Sequence, residues 1–94
     1  MTKTLTVNNF ENYLLWFAMT KGKIQGVSLD DLDNIMAARK LFISAPFDGE
    51  RAVEVDMKYM PYIRAAWSGI PVGELPRTDD LPDAVKSVAE KLKE

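Results

Sequence analysis

Residues 51–59 read Arg-Ala-Val-Glu-Val-Asp-Met-Lys-Tyr, and this stretch decides which fold class the sequence predicts. Apolar and charged residues alternate in it, with the apolar side chains at Val53, Val55, Met57 and Tyr59. All positions from 53 to 59 fit a period of two, whereas a helix would place the charged Asp56 among the apolar side chains. The stretch therefore predicts a strand with one packed face and one face in water.

The residues before this strand predict a hairpin. Asp48-Gly49 favours a two-residue turn, and residues 41–47 would then form the partner strand. Pro46 has no backbone N–H, which restricts that strand to an edge or a bulge. The alternative is that the preceding helix continues to Ser44. Of the two, we favour the hairpin.

The N-terminal part of the chain predicts a strand and then a helix. Residues 2–7 alternate between polar and apolar side chains, which indicates a short, half-buried strand. Asn8 or Asn9 would cap the first helix, because a short side-chain oxygen accepts from the free N–H groups of the first turn. This helix runs to about Thr20, and Gly22 would take the left-handed conformation after its end.

A second helix is predicted to begin at Ser28, which forms a capping box with Asp31. Four apolar residues form its predicted inner face: Leu29, Leu32, Ile35 and Met36. Arg39 and Lys40 lie near its end, where the helix dipole favours cations.

Two further helices complete the predicted fold. One begins at Pro61 and ends at Gly69, and the other begins at about Pro82 after a cap at Asp79 or Asp80. The predicted order is β-α-α-β-β-α-α. We expect an α+β fold in which a small, mostly antiparallel sheet of two or three strands carries about four helices on one face.

Length and charge narrow the possible roles. The chain has 94 residues, the size of a single domain over 1–94. It carries 12 Lys and Arg against 14 Asp and Glu, for a net charge of −2. Proteins that bind duplex nucleic acid usually carry a basic excess, because phosphate contacts supply much of their affinity. We therefore expect no duplex nucleic acid among its partners.

The absence of cysteine and histidine excludes disulfides, thiolate catalysis and the usual zinc and copper sites. A small domain without disulfides is more typical of a reducing compartment, so we expect a cytoplasmic protein. Residues 1–9 contain no apolar run, so we expect no signal peptide. The longest apolar run, Tyr13 to Met19, is far shorter than the roughly 20 residues of a membrane span, and we expect no membrane partner.

Acidic clusters are the remaining candidates for metal binding or catalysis. A calcium loop that began at Asp31 would need glycine at its sixth position, where Met36 stands. The cluster Asp30, Asp31 and Asp33 is instead typical of a helix start, where the dipole favours acids. The sequence thus predicts no metal ligand and no cofactor.

Glu54 and Asp56 share the wet face of the predicted strand, with Arg51 and Lys58 on either side. Such alternation favours cross-strand ion pairs over a catalytic pair of carboxylates, which would need a pocket and shifted pKa values. We therefore expect that the protein is not an enzyme.

The segment around the predicted third helix has the composition of a protein interface. Aromatic residues, methionine and arginine are enriched at interface centres, and five of them form the predicted partner-binding surface: Tyr59, Met60, Tyr62, Arg64 and Trp67. The alternative for most of these residues is packing in the core. Tyr62 and Arg64 are the two expected to be most exposed.

These observations favour a non-enzymatic module that binds another protein and acts by occlusion or scaffolding. In size and composition the chain is similar to the small accessory inhibitors of phages and plasmids, although no shared motif supports the likeness. A small sheet also leaves open edges, so we expect a homo-oligomer.

The alternative function is an oligomeric binder of a small anionic ligand such as a nucleotide. Tyr62 or Trp67 would stack on the base, while Arg64 or Lys58 neutralised a phosphate. A thermal-shift screen of nucleotides separates the two hypotheses, because a ligand at 100 times its Kd stabilises a protein by about 2.7 kcal/mol.

Overall fold

A computed structural model describes residues 1–22, 28–43 and 45–93, and it has the α+β fold that the sequence predicts. Two strands and four helices follow one another in the described part of the chain: β1 (Thr2–Asn8), α1 (Asn9–Lys21), α2 (Leu29–Arg39), β2 (Glu50–Asp56), α3 (Met60–Ser68) and α4 (Leu81–Lys91). Short 3₁₀ turns span Met57–Tyr59 and Val72–Glu74.

The sheet is an antiparallel pair in which Leu5 of β1 lies opposite Val53 of β2. The inner face is apolar and buried, with Leu5, Val7, Val53 and Val55. Threonines and acidic residues alternate with these positions and face outward. The strand predicted from the two-residue period is therefore confirmed as far as Asp56.

The predicted continuation of this strand over 57–59 is wrong. The Asp56 carboxylate accepts a hydrogen bond from the backbone N–H of Lys58 at 3.0 Å, and this local bond starts a 3₁₀ turn. Met57 is thereby left exposed instead of facing the core. The turn leads directly into α3, which has Pro61 in its first turn as predicted.

The predicted hairpin is also wrong, because β1 and not the segment before β2 is the partner of β2. Residues 41–43 and 45–47 form no strand. The helical alternative fails as well, since α2 ends at Arg39; Ser44 itself lies outside the described residues. Gly49 has a φ of +75°, a left-handed value that favours glycine, but the bend at 48–49 leads into β2 without closing a hairpin.

Asparagine side chains from α1 take the place of that missing strand pairing. The Asn12 amide donates to the Ile43 carbonyl at 2.6 Å and accepts from the Ile43 N–H at 3.3 Å. Asn9 accepts a hydrogen bond from the Phe47 N–H at 3.1 Å. These bonds satisfy backbone groups that would otherwise need a neighbouring strand, so the segment is fixed without extending the sheet.

α1 begins with a capping box, as the sequence predicts for Asn8. The Asn8 side chain accepts from the Glu11 N–H at 2.8 Å, and the Glu11 carboxylate accepts from the Asn8 N–H at 2.9 Å. Gly22 follows α1 with a φ of −65°, so the predicted left-handed conformation is wrong. A Cβ on Gly22 would lie 2.3 Å from the Ala18 oxygen and 2.5 Å from the Ala66 oxygen of α3. Glycine is needed because the two helices approach closely there.

The caps of the other helices agree with the sequence in part. Ser28 and Asp31 form both hydrogen bonds of the predicted capping box at the start of α2. Asp80 occupies the N-cap position of α4, but in the described structure its side chain makes no capping hydrogen bond.

The core consists of two clusters that share α1. The main cluster joins the inner face of the sheet to residues of all four helices, among them Leu15, Ala38, Met60, Ile63, Ala66 and Val88. The second cluster lies on another side of α1 and contains Leu14, Phe17, Leu75 and Ala84. The helices therefore pack on one face of the sheet, as predicted.

Candidate functional site

The predicted partner-binding segment, residues 59–67, is used largely for internal packing. Met60 has no exposed surface and lies in the main core, so its predicted contact with a partner is wrong. Helical spacing places Met60 in line with the buried Ile63 and Ala66, and this line faces α1 and the sheet. Tyr59 is partly buried against the same cluster, with the Lys58 ammonium 5.1 Å from the centre of its ring.

Trp67 is half-buried and packs against both core clusters. Arg64, which belongs to the same predicted surface, donates a hydrogen bond from Nε to the Leu92 carbonyl oxygen at 2.6 Å, at the end of α4. Arg64 is therefore only partly exposed, and it joins α3 to α4. The role predicted for Tyr59, Arg64 and Trp67 in partner binding stays a prediction.

A cleft of about 300 Å³ lies beside Arg64 and Trp67, and Ser68 and Lys93 also line it. Its combination of an indole ring and two cations is what the anionic-ligand hypothesis requires. The cleft lies at the C-terminal ends of α3 and α4, however, where the helix dipoles carry partial negative charge. Its attraction for a phosphate is therefore weaker than two cations alone would suggest.

Tyr62 joins α3 to the start of α2. Its hydroxyl donates to the Asp31 carboxylate at 2.6 Å. This bond, together with the bonds from Ser28, holds the pKa of the Asp31 carboxyl below its ordinary value, and it raises the pKa of the Tyr62 hydroxyl. Tyr62 is only partly exposed, and its hydroxyl is bonded to Asp31 of the same chain.

Three large apolar side chains are exposed on α2. Leu29 is 83% exposed, Leu32 is 45% exposed and Met36 is 50% exposed. The inner face predicted for α2 is therefore wrong at these three residues. They occupy positions i, i+3 and i+7, so they lie along one side of the helix, and we refer to them as the outer stripe of α2.

A second apolar line on α2 is the one that packs inward. Ile35 and Ala38 contact the main core, and Phe42, just beyond the helix end, is buried in it. Their spacing of three and four residues is also helical. The signal that sequence analysis missed is Phe42: the largest apolar side chain near α2 is in line with Ile35 and Ala38 and not with the outer stripe.

Charged residues flank the outer stripe with opposite signs at its two ends. Asp30 and Asp33 are exposed near its N-terminal end, and Arg39 and Lys40 are exposed near its C-terminal end. This distribution matches the helix dipole and stabilises α2 by itself. The two ends of the stripe therefore differ in charge, and a partner surface would have to carry the opposite charges.

A cavity of about 500 Å³ lies between the start of α1 and the segments near Ile43 and Pro76. Apolar and aromatic side chains dominate its lining, together with two asparagines: Asn9, Phe10, Asn12, Tyr13, Ile43, Ala45, Pro46, Pro76 and Thr78. Both asparagines already bind backbone groups across the cavity, as described above. The lining therefore supplies neither a charged group nor an acid–base pair for chemistry.

Glu11 is the most deeply buried ionisable side chain in the described part of the chain. Burial raises the pKa of its carboxyl, but hydrogen bonds from Lys91, Ser87 and the Asn8 backbone outweigh burial and hold the pKa below its ordinary value. Lys91 also pairs with it as an ion pair. The contacts with Ser87 and Lys91 join the start of α1 to α4, so Glu11 has a structural role.

Comparisons with protein-family models, with curated proteins and with solved structures find no match to this chain. Within residues 1–22, 28–43 and 45–93, no three acidic side chains come together as metal ligands. None of the helices described in the structure has the length and apolar composition to span a bilayer.

Proposed function

We propose that this chain is a non-enzymatic module that binds a partner protein through α2 and acts by occlusion or scaffolding. The observation that carries the proposal is the outer stripe of α2, where three large apolar side chains are exposed on one line. Single exposed apolar residues are common on protein surfaces, whereas a contiguous group more often marks a contact site.

The spacing of the stripe favours one type of contact. Leu29, Leu32 and Met36 have the i, i+3, i+7 spacing by which a helix anchors itself in an apolar groove of another protein. The seven helical steps from Leu29 to Met36 rise about 10 Å, which is enough for three adjacent subsites. A helix bound in such a groove blocks the binding of any other ligand there, which is how the module would act by occlusion.

The charges beside the stripe define the partner further. Asp30 and Asp33 favour basic residues on the groove rim near Leu29, and Arg39 and Lys40 favour acidic residues at the other end. Rim charges of this kind mainly set orientation and association rate, while the apolar anchors supply affinity. The proposed partner is therefore a protein with an apolar groove and rims of opposite charge at its two ends.

The proposal is tested with serine substitutions in and away from the stripe. The protein and its variants are immobilised, and the proteins that they retain from a lysate of the source cells are quantified. We expect Leu32→Ser to weaken retention of the partner about tenfold or more, because apolar anchors at an interface centre commonly contribute at least 1.4 kcal/mol.

Val72→Ser is the matched control, because Val72 is 64% exposed and lies outside α2. Its retention of the partner should equal that of the wild type, and all proteins should unfold at nearly the same temperature. Equal retention by Leu32→Ser and Val72→Ser would contradict the proposed surface.

The earlier candidate Arg64 is compared in the same assay. Arg64→Ala is set against Lys86→Ala, since Lys86 is exposed on α4, whereas Lys91 is engaged with Glu11 and would be a poor control. Loss of retention in Arg64→Ala with no loss in Leu32→Ser would move the contact surface from α2 to the cleft between α3 and α4.

A further inference from the structure

The sheet has only two strands, so each strand has one edge that pairs with no other strand in the described part of the chain. An unpaired edge presents a row of N–H and C=O groups to which another strand can bind. The two edges of this sheet differ in the residues that they expose, and this difference indicates what can bind to them.

The hydrogen-bond pattern identifies the groups on each edge. The Met57 N–H donates to the Met1 carbonyl at 3.0 Å, and these residues lie opposite each other when the strand register is extended by one pair. In an antiparallel ladder, bonded pairs recur at every second residue. The next bonded pairs are thus Lys3 with Val55 and Leu5 with Val53. The residues between them direct their backbone groups away from the partner strand.

On β1, four residues face the open edge. The N–H of Asn8 is bonded to Glu11 in the capping box, which leaves Thr2, Thr4 and Thr6. All three are exposed, and none of their backbone groups forms a further hydrogen bond to another described residue. Threonine is β-branched and favours extended structure. The only charged side chain of β1, Lys3, lies on the inner face and donates to the Lys93 carbonyl at 2.7 Å. The open edge of β1 therefore carries no charge.

On β2, three of the four residues that face the open edge are acidic: Glu50, Ala52, Glu54 and Asp56. If two copies of β2 paired antiparallel with three or more of these residues overlapping, at least one carboxylate would stand directly opposite another. Like charges opposite each other destabilise a strand pair. The charges on β2 thus act against pairing of that edge with a second copy.

We propose that two copies of this chain associate through the edge of β1 and form a continuous four-stranded antiparallel sheet. Thr4 of one copy lies opposite Thr4 of the other, so the two-fold axis passes between them and the contact is closed. Thr2 of each copy then lies opposite Thr6 of the other. All three pairs use backbone groups that point outward in the single chain, and no like charges face each other.

This inference goes beyond the proposed function, because it concerns β1 and does not involve the outer stripe of α2. A seven-residue strand is about 24 Å long, and a contact of one strand's width covers less than the roughly 800 Å² per partner of a standard interface. We therefore expect the dimer to dissociate as the concentration falls through the micromolar range. Each dimer would present two copies of α2.

Proline substitution tests the edge directly, because proline removes one backbone N–H. In Thr4→Pro the lost N–H is one that points away from β2, so the sheet of the single chain keeps its ladder. The dimer loses the hydrogen bonds at its centre. Light scattering coupled to size exclusion, from 1 μM to 1 mM, should show a concentration-dependent dimer for the wild type and at least a tenfold weaker one for Thr4→Pro.

Glu54→Pro is the matched control. Glu54 lies directly opposite Thr4 in the sheet and faces the other edge, so each variant loses one outward-facing N–H from a different strand. We expect Glu54→Pro to dimerise like the wild type. A wild-type monomer of 10.6 kDa at all concentrations, or equal weakening by both prolines, would overturn the proposal.

Amide exchange of the unmodified protein gives a second readout that does not depend on how the prolines fold. The amides of Thr4 and Thr6 should become more protected as the concentration rises, while those of Ala52 and Glu54 should exchange equally fast throughout. Protection on β2 without protection on β1 would assign the contact to the edge of β2 and overturn the inference.

Discussion

α2 and α3 are short neighbouring helices that differ in the burial of their apolar residues. α3 buries Met60, Ile63 and Ala66 in the main core. α2 buries only Ala38, with Ile35 partly buried, and it holds its other large apolar residues on the outside. Both helices have apolar residues at helical spacing, so spacing alone does not explain the difference.

The difference follows from where each helix lies. α3 contacts α1 and α2 and is joined to α4 through Arg64, so it has neighbours on several sides. α2 contacts α1, α3 and the 3₁₀ turn before α3, but the apolar side chains that it packs into the core are those of Ile35 and Ala38. A helix at the margin of a fold can bury a single line of residues. A second apolar line on such a helix remains at the surface, where it is available to a partner.

The strongest test of this comparison is to truncate one methionine on each helix. Met60→Ala should lower the free energy of unfolding by about 2–5 kcal/mol, because it removes buried methylene groups and leaves a cavity. Met36→Ala should change it by no more than about 0.5 kcal/mol, because Met36 is half-exposed and alanine favours helix. Urea unfolding midpoints of the two variants measure both values.

The same substitution at both sites controls for side-chain chemistry and leaves burial as the variable. Similar losses for Met60→Ala and Met36→Ala would show that the outer stripe of α2 is packed against something in the free protein. The proposed binding surface would then have no apolar residues to offer.

The sequence predicted the fold where local chemistry decides the structure. The alternation in β1 and in residues 53–56, the capping boxes at Asn8 and Ser28 and the start of α3 at Pro61 each depend on neighbouring residues. The prediction failed for residues 57–59 and for the described residues 41–43 and 45–47. There, a local hydrogen bond that the Asp56 carboxylate accepts from the Lys58 N–H, and bonds with the distant side-chain amides of Asn9 and Asn12, replace strand pairing.

The candidate site was harder to predict for a different reason. Interface-type residues such as Met60 and Trp67 are also good core residues, and only the tertiary position of α3 decides between the two uses. The outer stripe of α2 has the pattern of an inner face, and the sequence does not show that a second line through Ile35 and Phe42 occupies the core instead. Pattern identifies an apolar line, whereas packing determines which way it faces.

A second test concerns the close approach of α3 to the end of α1 at Gly22. Gly22→Ala should destabilise the protein by about 1–3 kcal/mol, because the new methyl group would overlap the carbonyl oxygens of Ala18 and Ala66. Gly73→Ala is the control, since a Cβ there meets no atom within 4 Å, and it should be neutral or slightly stabilising. Thermal unfolding of both variants gives the comparison, and a neutral Gly22→Ala would contradict the close approach.

The smallest expected effect concerns the hydrogen bond that joins the two helices, from Tyr62 to Asp31. Because the folded-state pKa of Asp31 is lowered, its contribution to stability is present above its ordinary pKa of 3.8 and is lost as the pH falls through the lower, folded-state value. Tyr62→Phe should reduce stability at pH 7 by less than Met60→Ala does, and the difference from the wild type should shrink as the pH falls below about 4. An NMR titration should show the pKa of Asp31 rising toward its ordinary value in Tyr62→Phe but not in Tyr59→Phe. If Asp31 titrates alike in all three proteins, this bond does not hold α2 against α3, and α2 is positioned by the packing of Ile35 and Ala38.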